Sequence, residues 1–260
     1  MTSFFISGQL KGAFAIDRQL HNMAEPTTPT PAPETAREST RIVFCLPGRD
    51  YSREFLISWS GLLSECIARG VTPVMSQQYS SVVHFARSKC LGADVTKGAN
   101  QKPFQGKMPY DYIMWIDSDV VFSPSEFFKL LESPYEVTCG LYMMEDRKSF
   151  AAVKTWDSEF FQANGSFQFL DQAALDAEPE RYMQVAYAGM GWMLIKAGVM
   201  ENLKYPWFNY DLQKIPTKDG GLMVDMCSED VALCRNLAEA GVRVHVDKTC
   251  RVGHQKAFVI

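Results

Sequence analysis

The sequence predicts an α/β fold whose sheet is parallel at least in its first half and whose second half is richer in strand. Three patterns point to this. Short continuous apolar runs, such as Ile42-Val43-Phe44-Cys45-Leu46 and Tyr112-Ile113-Met114-Trp115-Ile116, lack polar alternation, which is how strands buried on both faces read. Segments with apolar residues at helical spacing lie between such runs. Strand–helix–strand alternation favours parallel pairing, because a crossover helix brings the chain back to the same end of the sheet.

Taken in order, the first run stops at Pro47-Gly48. Phe55 to Arg69 carries apolar residues at 55, 56, 59, 62, 63, 66 and 67, a helical stripe closed by Gly70. Val71 to Met75 reads as a second strand, His84 to Leu91 as a helix, and Tyr112 to Ile116 as a third strand ending in Asp117-Ser118-Asp119. Ser123-Pro124 opens another helix, Ser as N-cap and Pro at the first helical position. Val137 to Met143 and Ala151 to Thr155 follow as strands. Asn164-Gly165, flanked by alternating apolar residues, predicts a hairpin over Phe160 to Leu170; the turn is preferred to the sequon that Asn164-Gly165-Ser166 also spells. Val185 to Ile195 reads as one apolar strand containing Gly189 and Gly191. Asp230 to Ala240 is a helix closed by Gly241, and Val242 to Val246 is the last strand.

Composition narrows the class. The chain has 260 residues, 47% hydrophobic and 22% charged, too apolar for a mostly disordered protein. A net charge of −4 gives no global electrostatic footprint for nucleic acid. No uncharged apolar run reaches the ~18–20 residues of a membrane span. The seven cysteines are odd in number and form no C-x-x-C pair, so free buried thiols in a reducing, cytoplasmic setting are expected. Glu25 to Thr40 is rich in Pro, Thr and Ala without apolar periodicity. Phe4 to Ile16 is broken by Lys11 and preceded by no basic residue, a poor signal peptide. Residues 1–40 are therefore expected to be a tail, and 41–260 a single domain.

Asp117-Ser118-Asp119 is the most informative segment. At an extended strand end, residues i and i+2 point to one side, so two carboxylates converge where open α/β sheets bind ligands. Close carboxylates repel unless a cation joins them, and hard oxygen ligands suit Mg²⁺ or Mn²⁺. For Ser228-Glu229-Asp230 two readings stand: an N-cap with acids favouring the helix dipole, or a general base. Gly189 and Gly191 mark either close approach of a ligand or second backbone, or a bulge; Trp192 beside them reads equally as core. His254, near Lys248, Arg251 and Lys256, reads either as a structural histidine or as a group meeting a metal or phosphate.

In their order and spacing, five segments resemble a GT-A-fold glycosyltransferase, family 2-like, across about Arg41–Lys256. They are the Ile42–Leu46 strand with the loop Pro47-Gly48-Arg49-Asp50-Tyr51, then WIDSDV (Trp115–Val120), AGMGWMLIK (Ala188–Lys196), SEDVALCRNLAEAG (Ser228–Gly241) and VGHQK (Val252–Lys256). The resemblance implies a Rossmann-like three-layer sandwich with a mixed, mostly parallel central sheet. The compact size resembles minimal viral or bacterial members, which would place the chain in the cytoplasm, or the host cytoplasm if viral.

The resemblance also implies roles. Asp117, Asp119 and His254 would hold Mn²⁺ or Mg²⁺, with Asp119 the direct ligand. Asp230 would be the catalytic base of an inverting enzyme, and Glu229 would orient the acceptor or shape the site. Pro47, Arg49 and Tyr51 would border the nucleotide base. Arg87 would lie near the donor phosphates, Ser118 and Lys256 would contact the nucleotide or donor, and Gly189 and Gly191 would lie beside the donor sugar. Trp192 would touch the acceptor. The partners would be a nucleotide-diphosphate sugar, with UDP favoured, and a glycan or other hydroxyl acceptor. The chain departs from the family pattern after the second strand, reading Ser76-Gln77-Gln78-Tyr79 where acidic residues are common. A retaining transferase and a non-catalytic nucleotide- or sugar-binding module on the same fold are the alternatives.

Overall fold

The computed structural model describes residues 39–256, so the expected tail lies outside the described residues except for Ser39 and Thr40. The elements run β1 (Arg41–Pro47), α1 (Arg53–Ala68), β2 (Thr72–Gln78), α2 (Val83–Cys90), β3 (Tyr112–Ile116), β4 (Val120–Val121), α3 (Pro124–Leu131), β5 (Val137–Leu141), β6 (Ala152–Val153), α4 (Ser158–Asn164) and α5 (Gln172–Asp176). Then come β7 (Tyr182–Val185), β8 (Tyr187–Ala188), β9 (Trp192–Lys196), β10 (Asp211–Pro216), β11 (Leu222–Cys227), α6 (Glu229–Glu239), β12 (Val244–Arg251) and β13 (Gly253–His254).

Seven strands form one mixed sheet in the order β2-β1-β3-β9-β5-β12-β7. β1 pairs in parallel with β2 and β3, and β12 in parallel with β5. β9 runs antiparallel between β3 and β5, and β7 antiparallel to β12. Strands β1, β2, β3, β5 and β12 thus share one direction.

The continuous apolar runs are explained by burial on both faces. Ile42, Phe44, Met114 and Ile116 point to one side and pack on Phe55 and Leu62 of α1 and on Phe127 and Leu130 of α3. Val43, Cys45, Ile113 and Trp115 point to the other, with Cys90 of α2 and Leu233, Cys234 and Leu237 of α6. The result is three layers, helix on sheet on helix. Each large side chain fully buried this way contributes about 1.5–3 kcal/mol. All seven cysteines are buried free thiols.

Two expectations about local structure are corrected. Asn164-Gly165 does not turn a hairpin; it ends a helix. Asp157 caps α4 by accepting from the Glu159 and Phe160 amides at 3.0 and 2.9 Å, and Gly165 closes it at φ +69°. A left-handed Gly serves a helix C-cap as well as a hairpin, and the Asp cap decided between them. The expected single strand Val185–Ile195 is three: β7, β8 and β9, broken after Val185 and again at Gly189–Gly191. The hairpin β10–β11, turned through Thr217–Gly221, lies in a stretch that the apolar pattern left unassigned.

Candidate active site

β1 and β3 are parallel neighbours, so the loops at their carboxyl ends meet. The Pro47–Gly48 corner lies against Asp117–Asp119, and a Cβ on Gly48 would stand 2.7 Å from the Ser118 Cβ. Gly48 is required by that close approach. Its amide donates to the Gln78 carbonyl at 3.0 Å, and the Tyr51 hydroxyl donates to Leu46 O at 2.9 Å. Arg49 stays exposed, its guanidinium 5.9 Å from the Tyr79 ring.

The acidic segment is a tight turn, not a strand end. The Val120 amide donates to Asp117 O at 3.1 Å, and the chain re-enters extended structure as β4. The two carboxylates therefore diverge instead of converging as i and i+2. Asp117 turns inward to Arg87, and Asp119 turns outward to the C-terminal segment.

Arg87, on α2, is only 3% exposed. Its Nε donates to Glu229 Oε1 at 3.0 Å and its Nη2 to Asp117 Oδ2 at 3.1 Å. Its Nη1 stands 3.0 Å from Asp117 Oδ1, held by charge with poor hydrogen-bond geometry. Burial alone would lower the Arg87 pKa, but the charges of Asp117 and Glu229 raise it above its ordinary value. The expected phosphate ligand is thus enclosed between two carboxylates. It acts as a buried bridge that positions Asp117 and the first turn of α6.

In that turn Glu229 is buried on Arg87, and Asp230 is half-buried. The Ser228 side chain makes no hydrogen bond to the helix backbone; its hydroxyl bonds Asp230 Oδ1. Asp230 Oδ2 accepts from the Tyr187 hydroxyl at 2.9 Å. Burial, then the Asp230 charge, pushes the Tyr187 pKa well up, so the phenol stays a donor. Oδ2 keeps a second lone pair for another proton.

Asp119 meets His254 across the small β4–β13 ladder, where His254 pairs with Val120. The Gln255 amide donates to Asp119 O at 2.7 Å. His254 Nε2 lies 3.1 Å from Asp119 Oδ2, and its Nδ1 2.9 Å from Met143 O. Lys256 Nζ stands 3.0 Å from Asp119 Oδ2 and 2.7 Å from His254 Nε2. Burial would raise the Asp119 carboxyl, but bonds from His254 and Lys256 pull it down to about 2. The hydrogen bond to Asp119 holds the His254 imidazole above its usual range. Of the neighbouring cations only Lys256 reaches His254: Lys248 donates to Leu175 O and Glu178 O, and Arg251 to Lys248 O.

These donors fit a hard divalent ion in part. Two ligand atoms about 3 Å apart match the edge of an octahedron with bonds of ~2.1 Å. No group of three or more His, Cys, Asp or Glu side chains able to hold a metal occurs among the described residues. An ion here would need phosphate or water for its remaining positions, as Mg²⁺ does at substrate phosphates. It would also have to displace the Lys256 ammonium, which touches both donor atoms.

Gly189 and Gly191 make room for a side chain. A Cβ on Gly189 would lie 2.0 Å from the Tyr142 hydroxyl oxygen, and one on Gly191 3.1 Å from it. That oxygen accepts from the Gly191 amide at 3.3 Å, and the ring meets His254 edge-on with centroids 5.0 Å apart. Burial, then the charges of Asp117 and Asp230, drives the Tyr142 pKa well up. Trp192 is 0% exposed and packs on Phe122 with centroids 4.5 Å apart, so it offers an acceptor no surface. Sequence reasoning missed Tyr142 and Tyr187. The two glycines were the available signal for Tyr142, since a gap in an apolar strand implies something large opposite it.

No family model and no curated protein matches the chain. Solved structures do. A197 from STIV matches at 16% identity and a TM-score of 0.48, covering 84% of this chain and 86% of that one. GalNAc-T7 with UDP, GalNAc and Mn²⁺ matches at 12% and 0.43, covering 84% and 44%. A Drosophila β1,4-galactosyltransferase 7 mutant with manganese, UDP-Gal and xylobiose matches at 11% and 0.42, covering 84% and 76%.

Proposed function

We propose that this chain is a GT-A-type glycosyltransferase that moves a sugar from a nucleotide-diphosphate sugar to an acceptor hydroxyl with inversion. One observation carries the reading. Four segments far apart in sequence meet at the carboxyl end of β3: Arg87 ties Asp117 to Glu229, and Asp119 joins His254. A cluster serving only stability has little use for a buried arginine held between one buried and one part-buried carboxylate, since such pairs cost about as much desolvation as they return.

In this reading Asp119 and His254 would hold Mn²⁺ or Mg²⁺ together with the donor diphosphate, and the ion would supply charge stabilisation to the leaving group. Pro47, Arg49 and Tyr51 border the nucleoside, and Ser118 the diphosphate. Asp230 is the base. Its Oδ2, oriented by Tyr187, takes the proton of the acceptor hydroxyl as that oxygen attacks the anomeric carbon opposite the diphosphate. Glu229 holds the first turn of α6 on Arg87, which places Asp230. Lys256 leaves Asp119 for the diphosphate as the donor enters.

The test is a panel of nucleotide sugars with Mn²⁺, scored for transfer or slow hydrolysis, with product stereochemistry read by NMR. Asp230→Asn should lower kcat by ~10²–10⁴-fold with donor affinity nearly unchanged. Near-normal turnover in that variant would remove Asp230 as the base. Retention of configuration would overturn the inverting mechanism.

A further inference from the structure

A cavity of about 220 Å³ opens beside α6; Trp156, Phe167, Gln213, Lys214, Val231 and Arg235 are among its lining residues. It is below the ~300–1,000 Å³ of drug-sized pockets, the size class of a single sugar ring. Its walls come from three elements: the chain around α4, the inner face of the β10–β11 hairpin, and the α6 face one residue beyond Asp230.

One wall is aromatic. Trp156 is 37% exposed, braced edge-on by Phe167 with centroids 4.8 Å apart. Its ring lies 6.3 Å from that of Tyr187, whose hydroxyl holds Asp230. The cavity and the base are therefore joined through one aromatic pair. A half-exposed indole on a fixed support suits the C–H face of a pyranose, which buries apolar area against it.

The lining is also cationic. Arg235 lies one turn along α6 from Val231, half-buried, and Lys214 adds a second positive charge. No Asp or Glu lines the cavity. The nearby acids are engaged elsewhere: Glu159 pairs with Lys218 at 3.3 Å, and Asp225, opposite Gln213, turns its carboxylate onto the Met226 amide at 2.8 Å. Among the described residues Arg235 and Lys214 have no ion-pair partner. A half-buried guanidinium lining the same cavity as an exposed indole is a ready donor to a planar or tetrahedral anion.

We propose that this cavity is the acceptor subsite and that it takes a sugar bearing a negative charge, its ring on Trp156 and its anionic group on Arg235. The proposal rests on the transferase reading above, and it names the acceptor that the reading left open. The shared chemistry is an anionic hexose; the charge is either a ring carboxylate or a phosphate ester.

The test is a binding titration on the full chain without donor, read by tryptophan fluorescence and repeated by calorimetry. Of the five tryptophans, Trp115, Trp192 and Trp207 are fully buried, and Trp59 packs on Phe44 on the other face of the sheet, so Trp156 is the reporter. The probes are methyl β-D-glucuronide, glucose 6-phosphate and the neutral methyl β-D-glucoside, at constant ionic strength. At least one anionic sugar should bind about tenfold or more tighter than the neutral glycoside, the increment of one charge-assisted hydrogen bond. Arg235→Gln should abolish that preference while Arg235→Lys keeps part of it, and Trp156→Phe should remove the optical response. The favoured anion identifies carboxylate or phosphate. Equal binding of all three sugars, no binding of any, or an unchanged preference in Arg235→Gln would overturn the proposal. Because no donor is present, this result is separate from transfer. A transferase whose cavity ignores charge loses only this proposal. An anion-binding cavity in a protein that turns over normally as Asp230→Asn loses only the base.

Discussion

Arg87 and Glu229 are 142 positions apart in sequence, yet the guanidinium Nε and the carboxylate oxygen meet at 3.0 Å, both side chains buried. This bond ties α2 to the first turn of α6, and through Asp117 the same guanidinium reaches the turn after β3.

Removing the arginine alone leaves two carboxylates facing each other without a cation. Arg87→Gln should destabilise the fold by about 3–5 kcal/mol, as breaking one side of a buried pair does. Urea unfolding measures it. Adding Glu229→Gln to that variant should recover part of the loss, because one of the uncompensated charges is then gone. If the double variant is no more stable than the single one, the bridge is not the source of the effect.

The Gly189–Tyr142 contact gives a steric prediction. Gly189→Ala puts a methyl where the Tyr142 hydroxyl oxygen is, 2.0 Å away, so strand or ring must move. Overpacking of this kind costs about 1–3 kcal/mol. Tyr142→Phe removes the oxygen, and the next ring atom stands 3.0 Å from the added carbon. Gly189→Ala should therefore cost less when made together with Tyr142→Phe than when made in the native chain. The non-additivity of the two changes in melting temperature measures the difference. Simple additivity would show that the hydroxyl is not what the methyl meets.

The depressed Asp119 pKa carries a pH signature. Its folded value of about 2 lies below the ~3.9 of an unfolded aspartate. The pair with His254 and Lys256 therefore contributes stability above about pH 4, and that contribution is lost as pH falls through about 2. The melting-temperature gap between the native protein and Asp119→Asn should be level near pH 5, close as the solution is acidified below 4, and narrow as pH rises above about 6.5 through the raised His254 titration. Added salt should narrow it, since Asp119 is partly exposed. A gap that persists at pH 2 would contradict the ion pair.

Lys256 and a divalent ion compete for the same two atoms, Asp119 Oδ2 and His254 Nε2. Lys256→Met should raise Mn²⁺ affinity in the absence of nucleotide by about tenfold or more, since a positive charge a few ångströms away is removed. Electron paramagnetic resonance of free Mn²⁺ reads this without any turnover. Unchanged or weaker Mn²⁺ binding would mean that Lys256 does not stand in the ion's place.

The sequence by itself determined the layers. Ile42–Leu46 and Tyr112–Ile116 are apolar at every position, and only a strand covered on both faces buries such a run. The stripe from Phe55 to Ile67 and the glycine stops at 70 and 241 likewise required helices closed where the structure closes them. The segments that meet at the candidate site also stand out in the sequence, because paired acids after a buried strand are an unusual pattern. Tertiary structure decided how those residues face one another. Asp117 and Asp119 diverge because a turn, not an extended strand, follows Ile116, and turn geometry there depends on Gly48 approaching Ser118 from another strand. Arg87 became a bridge instead of a free cation because α2 and α6 pack on one face of the sheet and enclose it. Trp192 fell to the core because β9 is a central strand, and Asn164-Gly165 became a helix end because Asp157 capped the residues before it. Local pattern reports how often a residue meets apolar surroundings. It does not report which side chain arrives from a hundred positions away, and the pairing of charges depends on that arrival.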